Sequence, residues 1–282
     1  MMTEIARLQE IACQVRRDVV RMVHKSKSGH PGGSLGSADI MVALYFEVMH
    51  HNPSPFSMTG NGEDMFFLSN GHICPVWYSA LARSGYFPIA ELGTLRQLGS
   101  RLQGHPATLE NLPGIRIASG SLGQGISVAI GAALGKKMKN DAHSIFCLTG
   151  DGELQEGQIW EAALFAAAKK VDNLVVITDY NQKQIDGPVA DINDLGDLKA
   201  KWEAFGWHVL EMKGNDMADV VRVLEQAKAL NGKGKPVYVL AHTEMGFGVD
   251  FMMGTHKWHG VAPNDEQLAM ALSQLNCSLE DY

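Results

Sequence analysis

Two short apolar runs end in polar residues that strand interiors do not hold. His143 to Leu148 closes on Thr149-Gly150-Asp151-Gly152-Glu153, and Leu174 to Thr178 closes on Asp179-Tyr180-Asn181. Both runs are of strand length and rich in Val, Ile and Leu, and the stretch Glu156 to Lys170 between them reads as a helix. This is the pattern of a right-handed β-α-β crossover, with the two strands parallel. Asp151 and Asn181 then stand together at the carboxyl edge of the sheet, where open α/β sheets bind ligands. A carboxylate beside an amide oxygen is hard-donor chemistry, suited to Mg²⁺ or Ca²⁺ holding a diphosphate. Gly150 and Gly152 let backbone approach phosphate oxygens that a Cβ would block.

A nicotinamide dinucleotide site is the competing reading. Gly150, Gly152 and Gly157 loosely imitate that fingerprint, and Asp179 falls near the place of a ribose-binding acid. The charge is wrong, because Asp151 would aim a carboxylate at an anionic pyrophosphate with no cation between them. The spacing is also wrong, since the third glycine comes five residues after the second.

With 282 residues, 45% of them apolar, the chain is long enough to bury the core of one sizeable domain spanning 1–282. A net charge of −7 and an isoelectric point near 5.9 argue against nucleic-acid or membrane-surface binding. Cys13, Cys74, Cys147 and Cys277 are scattered without CxxC spacing, which suggests neither a zinc site nor a disulfide framework and makes a reducing cytoplasm the default. Met1 to Val23 lacks the basic start and apolar centre of a leader, and no apolar run approaches membrane-spanning length.

The coarse organisation is helical first and alternating later. Ile5, Leu8, Ala12, Val15, Val19 and Met22 or Val23 recur at helical spacing. Gly29 to Gly36 reads as a glycine-rich turn before a helix from Ser37 to Met49. Met65 to Leu68 reads as a buried strand, and Pro75 suits the first turn of a helix reaching Arg83. Trp207 to Glu211 and Val237 to Ala241 read as further strands, with a helix from Met217 to Leu230 between them. Gly123 to Lys137, dense in Gly and Ala, is open to two readings, interior helix or interface. Gly232 to Pro236 is a loop with solvated lysines. The sum is a three-layer α/β/α domain with a mostly parallel sheet.

A lone histidine is more often a surface or core residue than a catalyst. Of the eleven here, His30, His72, His105 and His259 each adjoin glycine and sit on loops, where catalytic groups gather at a sheet edge. Imidazole exchanges hydrogen bonds with hydroxyls and moves protons near neutral pH.

Gly150-Asp151-Gly152 followed by Asn181 resembles the thiamin diphosphate motif, and six further segments are similar to transketolase in the same order. They are Ser28-Gly29-His30-Pro31-Gly32, Leu68-Ser69-Asn70-Gly71-His72, Gly104-His105-Pro106, Gly120-Ser121-Leu122-Gly123-Gln124-Gly125, Leu154-Gln155-Glu156-Gly157 and Trp258-His259-Gly260. Deoxyxylulose-phosphate synthase has a similar metal motif, but the Ser-Gly-His-Pro-Gly and Leu-Gln-Glu-Gly forms favour transketolase. The resemblance covers only the first of that family's three domains, the diphosphate-binding one. No counterpart of the glutamate that activates the aminopyrimidine follows Trp258-His259-Gly260. The chain is therefore expected to be the N-terminal subunit of a split transketolase, or a cut fragment, with the end of the chain after a polar tail favouring the former.

The resemblance implies ketol transfer: a two-carbon unit passes from a ketose to an aldose, both sugar phosphates, with the cofactor as electron sink. Asp151, Asn181 and the backbone carbonyl of Lys183 would ligate Mg²⁺ or Ca²⁺. His72, Gly150 and Gly152 would meet the diphosphate, and Gly120, Ser121 and Leu122 the aminopyrimidine side. His30, His105 and His259 would face the substrate. Gln103 and Ala107 flank the Gly-His-Pro segment where the family often has other residues, which makes His105 less secure than His30; Gly260 favours His259 over His256. Glu156 and Glu161 match acidic groups between paired active sites in the family, or are simply helix N-terminal charges. A C-terminal transketolase subunit would supply the pyrimidine-binding domain, in a heterotetramer of two chains of each kind. The alternatives are a non-catalytic cofactor-binding regulator and the nicotinamide dehydrogenase.

Overall fold

The computed structural model describes residues 3–277 and 279–282; Met1, Met2 and Ser278 lie outside the described residues. The described strands are β1 (Met65–Leu68), β2 (Ile145–Gly150), β3 (Leu174–Tyr180), β4 (Lys183–Gln184), β5 (Gly187–Pro188), β6 (His208–Lys213) and β7 (Val237–His242). The α-helices are α1 (Glu4–Ser26), α2 (Pro31–Gly36), α3 (Ala38–Ala43), α4 (Cys74–Arg83), α5 (Gly125–Met138), α6 (Gly157–Ala168), α7 (Val189–Asn193), α8 (Leu198–Ala204), α9 (Met217–Ala229) and α10 (Asp265–Gln274).

β1, β2, β3, β7 and β6 form one sheet in that order, and every neighbouring pair is parallel. β4 and β5 make a small antiparallel hairpin apart from it. β1 to β3 and β7 are buried almost throughout, as expected of near-continuous Val, Ile, Leu and Phe runs covered on both faces. In register, Phe66, Phe146, Val175 and Val237 share one face, and Phe67, Cys147, Val176 and Tyr238 share the other. Phe66 meets Trp77 of α4 edge-on at 5.3 Å, whereas Tyr238 stacks on Trp202 of α8 at 4.1 Å. Helices thus cover both faces, and the three-layer α/β architecture is the one expected. The expected β-α-β crossover is present as β2, α6 and β3.

Two expectations need correction. Gly29 to Gly36 is not a turn: residues 31–36 are helical, continuing through Ser37 into α3 and a π-turn over Leu44–Val48. Three of its glycines serve contact rather than chain reversal. A Cβ on Gly32 would lie 2.7 Å from Met245, on Gly33 2.9 Å from Ile73, and on Gly36 2.8 Å from the Glu244 carbonyl. Pro31 at the first helical position, with its fixed φ, offsets their poor helix propensity. Second, α8 and α10 were not anticipated; α10 opens with a full capping box between Asn264 and Gln267, a signal the sequence carried.

The opening helix follows its expected spacing from Glu4 on, with Leu8, Ala12, Val15, Val19, Met22 and Val23 buried. Arg16 on α1 pairs with the buried Asp39 of α3 and donates to the Leu35 carbonyl at 3.1 Å, which fixes the segment that presents His30. The four cysteines carry free thiols. Among the described residues no helix is long and apolar enough to cross a membrane.

Asp18 of α1 is fully buried and accepts from Ser79 at 2.6 Å and from both ends of the Arg83 guanidinium at 2.5 and 2.8 Å. Asp18→Ala leaves that guanidinium without its carboxylate, with the Glu280 carbonyl at 3.2 Å as its remaining acceptor, and should lower unfolding free energy by about 3–5 kcal/mol in urea titrations. A loss under about 1 kcal/mol would show the pair to be dispensable.

Candidate active site

All five strands of the main sheet end at the same edge, and the loops leaving it carry the polar residues. The β2–β3 register sets Gly150 opposite Asp179, so Asp151 and Asn181 follow from adjacent strands. Asp151 is buried; one carboxylate oxygen accepts from Gly152 N at 2.7 Å and the other from Gln182 N at 2.5 Å. Asn181 donates to Asp179 at 3.0 Å, and its amide oxygen accepts from Lys183 N at 3.0 Å. The Lys183 ammonium reaches Glu244 at 3.2 Å and the Asn181 carbonyl at 3.4 Å. Asp179, the acid the dinucleotide reading assigned to ribose, is buried and already holds Thr243 and Asn181.

The histidines converge from separate loops. His30 is the N-cap residue of α2, with its carbonyl held by Ser34 at 2.7 Å. His72 lies in the 3₁₀ turn Gly71–Ile73 after β1. The Trp258 carbonyl accepts from Gly32 N at 3.1 Å, bringing the following His259 against the start of α2. Ring centroids lie 5.1 Å apart for His30 and His72, 5.6 Å for His30 and His259, and 5.1 Å for His72 and His259. His105 stands at the margin, 6.4 Å from His30, exposed and packed beside Gly120.

A cavity of about 310 Å³ opens between these groups. Of the anticipated residues, His30, His72, His259, Gly120, Leu122, Gly150, Asp151, Gly152, Asn181 and Lys183 line it, and His105 and Ser121 do not. Sequence reasoning missed Asn70, Glu153 and Gln184 in the lining. Asn70 lies in Leu68-Ser69-Asn70-Gly71-His72 at the end of β1, so its position at the sheet edge was available as a signal; Glu153 closes the run Thr149 to Glu153 and was assigned no role. His30 Nδ1, Asn70 Oδ1, Gln184 Oε1 and His259 Nδ1 are buried without a hydrogen-bond partner. Buried polar atoms seldom stay unpaired, and four around one cavity mark a place built for a polar ligand.

Burial and the neighbouring Asp179 raise the Asp151 carboxyl to about 7. Burial also raises Asp179, against hydrogen bonds from Thr243 and Asn181. A divalent ion held by Asp151 and Asn181 would offset both the desolvation and the repulsion. The donor set therefore fits a hard cation. Among the described residues no cluster of three His, Cys, Asp or Glu forms a metal site; the anticipated set holds a single carboxylate and completes itself with amide and carbonyl oxygens.

Burial, reinforced by His259, Arg96 and His105, lowers His30 to about 4. His72, His105 and His259 are lowered too, mainly by burial. All four rings are thus neutral at pH 7. The signs of the two effects are opposite. Asp151 titrates higher folded than unfolded, so its contribution to stability is lost as pH rises from 3.8 to about 7. His30 titrates lower folded than unfolded, so its contribution is lost as pH falls from 6.5 to about 4. In chelator-treated protein, Asp151→Asn should gain stability relative to the parent across the first window on raising pH, and His30→Gln across the second on lowering it. Urea midpoints at a series of pH values measure both, and parallel curves would refute the assignments.

Residues 8–280 match the family model described as transketolase, thiamine diphosphate binding domain. The 6-deoxy-6-sulfo-D-fructose transketolase subunit of a Clostridium species is 41% identical over 271 residues, covering 95% of this chain and 96% of the relative. An apulose-4-phosphate transketolase subunit from Actinobacillus succinogenes is 39% identical, covering 95% of each. Human transketolase is 34% identical over 90% of this chain, which corresponds to 39% of that longer protein. The crystal structure of Campylobacter jejuni transketolase superimposes with a TM-score of 0.89 at 36% identity, covering 99% of this chain and 44% of that one. With the sheet-edge carboxylate, the histidine-lined cavity and these likenesses together, the chain belongs to the transketolase family: it carries the thiamine diphosphate binding domain, and it matches nearly end to end relatives that are named as transketolase subunits.

Proposed function

We propose that this chain acts as the N-terminal, diphosphate-binding subunit of a split transketolase. A separate C-terminal subunit would bring the pyrimidine-binding domain. The observation that carries the reading is the cavity in which the Asp151–Asn181 edge faces three neutral histidines. Bound there, thiamin diphosphate supplies an electron sink for breaking and making the carbon–carbon bond next to a ketose carbonyl. Asp151, the amide oxygen of Asn181 and the carbonyl of Lys183 hold Mg²⁺ or Ca²⁺, oxygen donors that suit either ion. Backbone of Gly150 and Gly152, with His72, meets the diphosphate. Gly120, Ser121 and Leu122 offer backbone groups to the aminopyrimidine side.

His30 and His259 face the sugar, with His105 at the margin. A neutral imidazole both donates and accepts, so each ring can orient a hydroxyl and pass a proton at its ring nitrogen. The unpartnered Nδ1 atoms of His30 and His259 are free for that purpose. Their burial keeps bulk water from those atoms, which strengthens the hydrogen bonds they make to a substrate. The two bacterial relatives described above are named for a sulfonated and for a phosphorylated sugar, which supports a ketose with an anionic end as donor. The basic groups that read the anion belong to the partner chain.

α5 and α6 support an assembly of two chains of each kind. Val128, Leu164 and Phe165 are exposed there, beside the exposed Glu161, with Glu156 at the cavity margin. Apolar side chains in such a group mark a surface that pairs. The free thiols support a cytoplasmic setting.

Ketol transfer measured with thiamin diphosphate and Mg²⁺ tests the proposal. Activity is expected from the chain plus its C-terminal partner and not from the chain alone; binding without transfer in the complex would make the chain a regulator instead. Asp151→Ala should abolish divalent-dependent cofactor binding in calorimetry, and retained affinity would put the metal elsewhere. His30→Ala should leave cofactor affinity within about twofold and lower kcat by about 10²-fold or more, and unchanged turnover would remove His30 from the chemistry.

A further inference from the structure

Glu153 is buried to 2% exposure, and both of its carboxylate oxygens are engaged in the seam between three loops. Its Oε1 accepts from Gly123 N at 2.7 Å and from the Ser69 hydroxyl, and its Oε2 accepts from Gly150 N at 3.0 Å. Ser69 passes the contact on, because its Oγ accepts in turn from Gly125 N at 3.0 Å. The Ser69 backbone is fixed to the sheet by a 2.8 Å bond to the Leu148 carbonyl. One carboxylate therefore gathers donors from the ends of β1 and β2 and from the loop entering α5.

The packing leaves these loops no slack. A Cβ on Gly125 would lie 2.5 Å from Ser69, and one on Gly71 2.4 Å from the Ser119 hydroxyl and 3.0 Å from Gly120 N. The loops touch directly, so a shift in one is transmitted to the others. Hydrogen bonds to a charged group are stronger than neutral ones, and a buried carboxylate with three donors is held rigidly.

We propose that Glu153, acting through Ser69, is a positioning residue that couples the diphosphate end of the cavity to its 120–125 wall. Gly150 belongs to the first and Gly123 to the second, and the same side chain fixes both. The proposal rests on the cofactor reading for its meaning, but the coupling itself is a property of the chain. Nothing in the coupling requires a ligand to be present: it exists in the free protein and sets the spacing that a cofactor long enough to touch both ends must match. Glu153 spends its oxygens on the protein's own donors and acts on a ligand only through the loops it holds.

Amide exchange of Gly123, Gly125 and Gly150, followed by NMR on the full chain without ligand, tests the coupling. Ser69→Ala should speed exchange at Gly125 at least tenfold while Gly150 stays within twofold. Glu153→Ala should speed Gly150 and Gly123 and also Gly125, which Glu153 does not touch. Protection at Gly125 unchanged in the Glu153 variant would overturn the proposal, as would equal acceleration of Gly125 and Gly150 in Ser69→Ala. Should Glu153→Ala fail to fold, Glu153→Gln takes its place: its one acceptor oxygen can serve only one end, so either Gly150 or the Gly123–Gly125 pair should exchange at least tenfold faster, and unchanged protection at all three would overturn the proposal. A second readout gives the functional sense. Ser69→Ala should weaken thiamin diphosphate binding about tenfold in calorimetry and leave Mg²⁺-pyrophosphate binding within twofold, because pyrophosphate spans only one end; equal loss of both would overturn the proposal. A parent chain that binds neither ligand would refute the cofactor reading, and the exchange rates would still decide the role of Glu153.

Discussion

Gly150 opposite Asp179 in the parallel pairing of β2 with β3 is the alignment on which the site depends. It carries Asp151 and Asn181 off adjacent strands at one height, and it sets two buried carboxyls within repulsive reach of each other. A slip of one residue would exchange the faces of β3, turn Val175 and Ile177 toward the wrong layer, and carry Asn181 away from Asp151. The register is held on both sides, by β1 on β2 and β7 on β3, and by the Thr149–Thr178 hydroxyl pair at 2.9 Å just below the edge. The apolar strands thus do more than fill the core. Their burial fixes the position of charges that, left to themselves, would move apart.

What the edge gains in chemistry it loses in stability. Asp151 and Asp179 are each raised by burial, and His30, His72 and His259 are each held neutral by it. The unpaired Asn70, Gln184 and histidine nitrogen atoms add to that cost. The rest of the domain offsets it with conventional devices: the Asp18–Arg83–Ser79 cluster, the Arg16–Asp39 pair, and aromatic packing of Trp77 and Trp202 on opposite faces of the sheet. A site assembled from destabilised groups on a rigid sheet is the usual division of labour in a functional domain.

Much of this was legible in the chain. The strands from Met65, Ile145, Leu174 and Val237 were apparent because each is a short apolar run with abrupt polar ends, and the opening helix because six apolar residues keep one face. Gly29 to Gly36 misled because glycine density signals a turn locally, whereas here it records close contact with Met245, Ile73 and Glu244, residues distant in sequence. Within Gly123 to Lys137 the helix Gly125–Met138 has one buried face, Ile126, Ala129 and Ala133, and one exposed face with Val128. Of the anticipated residues that adjoin glycine, His30, His72, His259 and Asp151 line the cavity, since the loops at a sheet edge are marked by their neighbours. Glu153 was passed over because its role lies in three donors from other loops, a relation that one-dimensional spacing does not contain. His105 was placed with the other histidines by its Gly-His-Pro setting, and stands instead at the margin.

The three closest histidine rings have a consequence for how the protein responds to acid. With centroids only 5.1 to 5.6 Å apart, a proton taken up by one ring repels the next, so the rings cannot fill independently. Burial lowers the rings unequally, His72 well below its ordinary value and His30 to about 4, so the sites are not equivalent, and a proton on one ring disfavours a second on its neighbours. The acidic limb of a rate profile measured on this protein would report that coupled occupancy, and a substitution at one ring would shift that limb rather than delete it.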